Sequence, residues 1–159
     1  MMVEMRKKEK QITDPKKMNE IIARAEICHI AFNDKGYPYI VPMNFGHDGK
    51  YLYFHSAPEG RKIRLIKKDG RVAFEISIYK GPITKGPPCS WGFDFRSVMG
   101  IGKMTIITDP KEKARAVEMF VRHYSKKATK VLPQRMKKMV MLKLRIEEMT
   151  AKGSIPSKT

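Results

Sequence analysis

Two rhythms of apolar and polar residues alternate along the chain, one with period two and one with period near 3.6. Val72, Phe74, Ile76 and Ile78 follow the first, the pattern of a strand with one buried face. Val140, Leu142, Leu144 and Ile146 repeat it near the C-terminus. Residues 27–33 (ICHIAFN), 37–45 (YPYIVPMNF) and 51–56 (YLYFHS) read as three further strands, and 95–108 as a long one. The first three are joined by Asn33-Asp34-Lys35-Gly36 and Gly46-His47-Asp48-Gly49, both hairpin-type turns, so they form a meander. Within 51–56, Leu52 and Phe54 fall on one face and Tyr51, Tyr53 and His55 on the other.

The second rhythm predicts three helices. Asp14-Pro15 supplies an N-cap and a first-turn proline ahead of Met18, Ile21, Ile22 and Ala25. A shorter helix runs from about Glu59 to Lys68, with Ile63 and Ile66 facing inward and Asp69-Gly70 ending it. The third starts at Asp109-Pro110-Lys111-Glu112, a capping box, and buries Ala114, Val117, Phe120, Val121 and Tyr124. Residues 79–94 (YKGPITKGPPCSWGFD) read as a Gly/Pro-rich loop of the length that often serves function. Residues 125–138 read as a basic linker, and 1–12 and 151–159 as loose tails. Six strands linked by hairpins and interrupted by few helices predict one domain, 1–159. Its class is mainly β with flanking helices, an antiparallel six-stranded β-barrel.

Composition agrees with that size and class. The chain has 159 residues, 42% hydrophobic, enough for one core. No apolar run approaches the roughly 18 residues that span a bilayer. The basic N-terminus has no apolar segment behind it, and Cys28 and Cys89 make no disulfide framework. The expectation is a soluble cytoplasmic protein. The formal charge of +17 draws polyanions, so a nucleic-acid-binding barrel using Tyr51, Tyr53 and Trp91 is one alternative. Its basic residues, however, cluster in short runs such as Arg6-Lys7-Lys8 and Lys67-Lys68, apart from those aromatics, as on a solvated surface.

Chemistry concentrates at 53–62, YFHSAPEGRK. A strand ends in His55 and Ser56 just where a helix begins with Arg61 and Lys62. Helix N-termini offer free N–H groups and partial positive charge, both suited to phosphate. Ser56 can donate a hydroxyl, Gly60 permits close backbone approach, Arg61 can fork two donors, and Lys62 adds a point charge. The plainer alternative is that Arg61 and Lys62 merely open a surface helix. No Walker loop or GxGxxG is present, and His29, His47, His55 and His123 are scattered, which argues against zinc. Cys28 falls in a strand pattern and reads as core. No catalytic arrangement can be read from spacing, so a cofactor would carry any chemistry.

Three stretches together resemble a known superfamily. GYPYIVPMNFGHDGKYLYFHSAPEGRKIRLI resembles the flavin-binding core of the pyridoxamine 5'-phosphate oxidase-like proteins. CSWGFDFRSVMGIGKMTIITDPKEKARAVEMFVRHYS resembles the second half of that pattern, and LKLRIEEMTAKGS its closing strand. The nearest branch is that of the nitroimidazole-resistance proteins. The resemblance implies a split β-barrel that binds FMN between the subunits of a homodimer, and a flavin-dependent oxidoreductase acting on a small molecule. Val41, Pro42, Met43 and Asn44 would lie along the flavin ring. His55, Ser56, Gly60, Arg61 and Lys62 would hold its phosphate, and Ser97 and Val98, in RSVMG, would stand near the cofactor and the dimer contact. Some relatives bind haem or a deazaflavin instead. The Arg-Leu-x-Pro ending of true pyridoxamine phosphate oxidases is replaced here by SIPSKT, which argues against vitamin B6 oxidation.

Overall fold

A computed structural model describes residues 5–125 and 139–154. The period-two segments form strands β2 (Cys28–Asp34), β3 (Tyr37–Met43), β5 (Tyr51–Ser56), β6 (Arg71–Ile83), β7 (Gly92–Ile106) and β8 (Val140–Gly153). Two short strands join them, β1 (Gln11–Ile12) and β4 (Gly46–His47). The expected six are therefore present, and the two-residue additions bring the sheet to eight strands. It is antiparallel, ordered β3-β2-β6-β7-β8-β5-β4 with β1 beside β8, and does not close on itself. The helices are α1 (Pro15–Arg24), α2 (Arg61–Lys68) and α3 (Pro110–Tyr124). Among the described residues no helix is long and apolar enough to cross a membrane.

One register row shows how the sheet makes a core. Met43, Cys28, Ile76, Val98 and Ala151 lie opposite one another on five neighbouring strands, and all five are buried. Each such side chain removed from water contributes roughly 1.5–3 kcal/mol for the larger residue types. Cys28 sits in this layer as expected, and burial, reinforced by the charge of Glu75, pushes its thiol well above the usual range. A second core lies between the sheet and α3, formed by Tyr53, Ile107, Ala116, Val117 and Met141. The alternation expected for β5 holds, and its second face is partly covered too: Tyr53, opposite Leu52 and Phe54, is only 3% exposed because α3 covers it.

Some expectations need correction. In α3 the buried residues are Ala116 and Val117, with Phe120 and Val121 half-buried, while Ala114 and Tyr124 are exposed. The inward stripe at 116, 117, 120 and 121 keeps three–four spacing, and Ala114 falls off it. Much of the 79–94 loop is strand: β6 runs to Ile83 and β7 begins at Gly92, pairing across a bulge between Tyr79 and Gly81. Nor are the described parts of the tails loose. Gln11 and Ile12 pair with Lys152 and Ala151, so each end fixes the other through backbone bonds. The linker at 125–138 lies outside the described residues, apart from Ser125.

Candidate functional site

The open sheet leaves β3 and β4 as its two edges, and α2 starts beside β3, where the ring of strands is broken. β3 carries Pro38 and Pro42, which cannot donate to a ladder and are tolerated because the strand is an edge. Met43 faces the barrel core and Val41 is half-buried, while Pro42 and Asn44 face outward. Tyr124 secures the end of this strand: the Phe45 N–H donates to its hydroxyl at 2.9 Å, and the hydroxyl donates to Glu26 O at 2.7 Å.

At the start of α2, Gly60 is the N-cap with φ of 111°, a left-handed conformation that side chains other than glycine's rarely adopt, and no atom lies within 4 Å of where a Cβ would project. No side chain caps the helix. The Arg64 N–H is the first to reach a helical acceptor, Gly60 O at 3.1 Å, so the N–H groups of the preceding turn are left for another partner. Ser56, at the end of β5, is buried, and its hydroxyl makes no hydrogen bond among the described residues. His55 is exposed, with its ring edge-on to Phe120 at 4.9 Å.

The two cations differ. Arg61 is already engaged: its Nε lies 2.6 Å from Asp34 Oδ2, and its guanidinium sits 4.3 Å from the centre of the Tyr39 ring. Lys62 is half-buried, and among the described residues its Nζ has only the Met43 sulfur, 3.6 Å away and a weak acceptor, as a partner. Burial pushes its ammonium below the ordinary lysine range. A cation drawn out of water without a carboxylate is a receptor for an anion.

The structure thus brings Met43, Gly60, Arg61 and Lys62 together, with Val41, Pro42 and Asn44 along the adjoining strand. Ser97 and Val98 are elsewhere in the chain. They lie on β7, separated from β3 by β6 and β2; Val98 is enclosed in the core and Ser97 lies opposite Ser77. Two partners were not legible in the sequence. Asp34 and Tyr39 anchor Arg61 across the β2–β3 turn, and no spacing rule links them. A further polar group, His29, Glu75 and Ser77, lies on the outer face of β2 and β6. Among the described residues no three His, Cys, Asp or Glu side chains could hold a metal ion.

The family model described as pyridoxamine 5'-phosphate oxidase matches residues 14–153. No curated protein matches the sequence. Among solved structures, a candidate 5-nitroimidazole antibiotic resistance protein of Bacteroides thetaiotaomicron is 33% identical, with 89% of this chain and 85% of that one covered at a TM-score of 0.79. The flavocytochrome Anf3 of Azotobacter vinelandii is 20% identical over 96% of this chain and 72% of its own, at 0.82. The FAD and heme binding protein of Mycobacterium smegmatis is 18% identical over 91% and 73%, at 0.81. The last two speak to the split-barrel architecture alone.

Proposed function

The chain belongs to the pyridoxamine 5'-phosphate oxidase family, and from that premise we propose that it is a flavin-binding oxidoreductase acting on a small molecule, with FMN as its flavin. The observation that carries this reading is Lys62: a half-buried ammonium with no carboxylate partner among the described residues, at an uncapped helix N-terminus. The residues fit a phosphate. Lys62 and the first-turn N–H groups would take its charge, Ser56 would donate a hydroxyl, and Gly60 leaves room for close approach. Arg61, held by Asp34 and Tyr39, would border the site as a fixed wall and supply a second, weaker attraction. Val41 to Asn44 would offer an edge strand to the ring. The flavin would supply hydride or electron transfer when bound. Reduction of a nitroimidazole-type compound is a natural first assay, given the 33% identical relative.

The pairing of FMN with riboflavin, which lacks the phosphate, tests this directly. Lys62→Ala should weaken FMN by about 1.5–3 kcal/mol, roughly ten- to a hundredfold, and leave riboflavin almost unchanged. Arg61→Ala should weaken FMN less, because Asp34 already holds that guanidinium. An equal loss for both ligands would place the damage in the fold or the ring site. If saturating FMN gives neither a flavin spectrum nor a thermal shift while haem does, the flavin reading fails.

The cofactor is also proposed to lie at the interface of a homodimer. Ile40, Ala31, Ala73 and Ile101 stand in one register row across β3, β2, β6 and β7 on the outer face, with Ile40 60% and Ile101 36% exposed. Such an apolar stripe is suited to a second copy. The partner's β7 would then be the one that approaches the cofactor, through Ser97 and the neighbouring backbone, since the Val98 side chain is enclosed in its own core.

A further inference from the structure

On the outer face of the sheet, the His29 Nδ1 lies 3.0 Å from one oxygen of Glu75, and the Ser77 hydroxyl donates to the other oxygen. With the carboxylate ionised, Nδ1 must carry the proton, so the neutral ring presents the lone pair of Nε2 outward. Nε2 has no partner among the described residues, and the His29 side chain is 49% exposed. It opens on a hollow of about 460 Å³ between the end of α1 and the outer faces of β2 and β6, lined also by Arg24, Glu26, Ile27 and Tyr79. That volume is within the range of small-molecule sites, roughly 300–1,000 Å³.

The lining limits what can occupy the hollow. Arg24 and Glu26 carry opposite charges, so the ionised Glu75 leaves one negative charge in surplus, which disfavours an anion. Tyr79 exposes 65% of its surface and Ile27 38%, giving an aromatic face and an apolar flank. Nε2 is the acceptor that Glu75 fixes in place and leaves without a partner among the described residues. We propose that this hollow binds a small planar ring bearing an O–H or N–H and no negative charge, and that His29, positioned by Glu75, is its acid–base residue. In the proton step, the ligand's O–H or N–H bond breaks as the Nε2–H bond forms. The resulting imidazolium is stabilised by the Glu75 carboxylate, and the ligand leaves as an anion or returns the proton. Binding needs no flavin; only a role in turnover rests on the function proposed above.

The test uses p-cresol as probe, with benzoate as an anionic control of similar size, followed by the ring signals of His29 in NMR spectra of the protein without added flavin. The expected result is a saturable His29 shift with p-cresol, at least tenfold weaker binding of benzoate, and loss of the p-cresol response in His29→Gln. Glu75→Gln should weaken p-cresol at least tenfold while the fold's other signals stay in place, because the amide no longer fixes the tautomer. Should that variant not fold, the direct ring-nitrogen shifts of the unaltered protein decide the tautomer, with Nδ1 expected to be the protonated atom. Absence of a saturable shift, equal binding of benzoate, or protonation at Nε2 would each overturn the proposal. Because FMN binding is measured separately, its failure and the failure of this site are distinguishable.

Discussion

His47 shows how one residue couples the second core to pH. It lies on β4 beneath α3, and its Nε2 is buried with no hydrogen-bond partner among the described residues. Burial lowers its basicity and nearby His123 adds to this, although Asp48 pulls the other way. Asp48 cannot turn fully to the ring, because the Tyr53 hydroxyl donates to it at 2.7 Å and Arg115 approaches from α3 at 3.4 Å. A histidine that is harder to protonate when folded gives stability that is complete above its ordinary pKa of about 6.5. That stability is lost as pH falls from there through the depressed folded value. Urea midpoints should therefore drop between pH 7.5 and 5, and His47→Phe should flatten that part of the slope. An unchanged slope in the variant would show that His47 is not the group responsible.

At the scale of elements, α3 is seated by a close approach rather than by its apolar stripe alone. A Cβ on Gly46 would lie 2.5 Å from the Phe120 backbone nitrogen, so β4 and α3 meet with no room for a side chain. Gly46→Ala should cost at least about 1–3 kcal/mol in urea unfolding, since neither backbone can yield without moving the helix. The same variant should loosen the end of β3, because α3 carries the Tyr124 that holds Phe45. This seam marks the boundary of what could be read from sequence. Strands such as 72–78 and the capped start of α3 were legible because their signals are local: alternation, a cap, a proline. The burial of Tyr53 was not, since it depends on a helix that begins 57 positions later in the chain. The strand character of 79–83 was hidden too. Glycine and proline there suggest a loop, but pairing with 92–95 overrides local preference. At the phosphate-type site, the residue types were legible, but the unequal standing of Arg61 and Lys62 was not, because it turns on Asp34, 27 positions away.

For the whole molecule, the apolar stripe and the +17 charge point to different partners. Tyr53, one of the aromatics that would stack on bases, is enclosed by α3. Tyr51 is half-buried, with Lys50 and Lys143 about its ring at 5.4 and 5.2 Å. Charging the stripe with the pair Ile40→Lys and Ile101→Lys should convert a dimer to a monomer by light scattering, with FMN binding weakened in the same variant. A wild-type protein that is monomeric yet binds FMN tightly would rule the interface out.

The place of β8 in the sheet also bears on how the polypeptide is made. This strand lies between β7 and β5 and takes β1 near its end, so the final described strand joins segments that otherwise have no ladder to one another. As a nascent chain leaves the ribosome, β5 and β7 must wait with bare edges until residues 140–153 emerge. Pairings that span so much sequence are slow to form, and unpaired edges invite association with other chains. Synthesis halted just before Val140 should therefore yield insoluble product, whereas release of the full chain lets one late strand seal both edges at once.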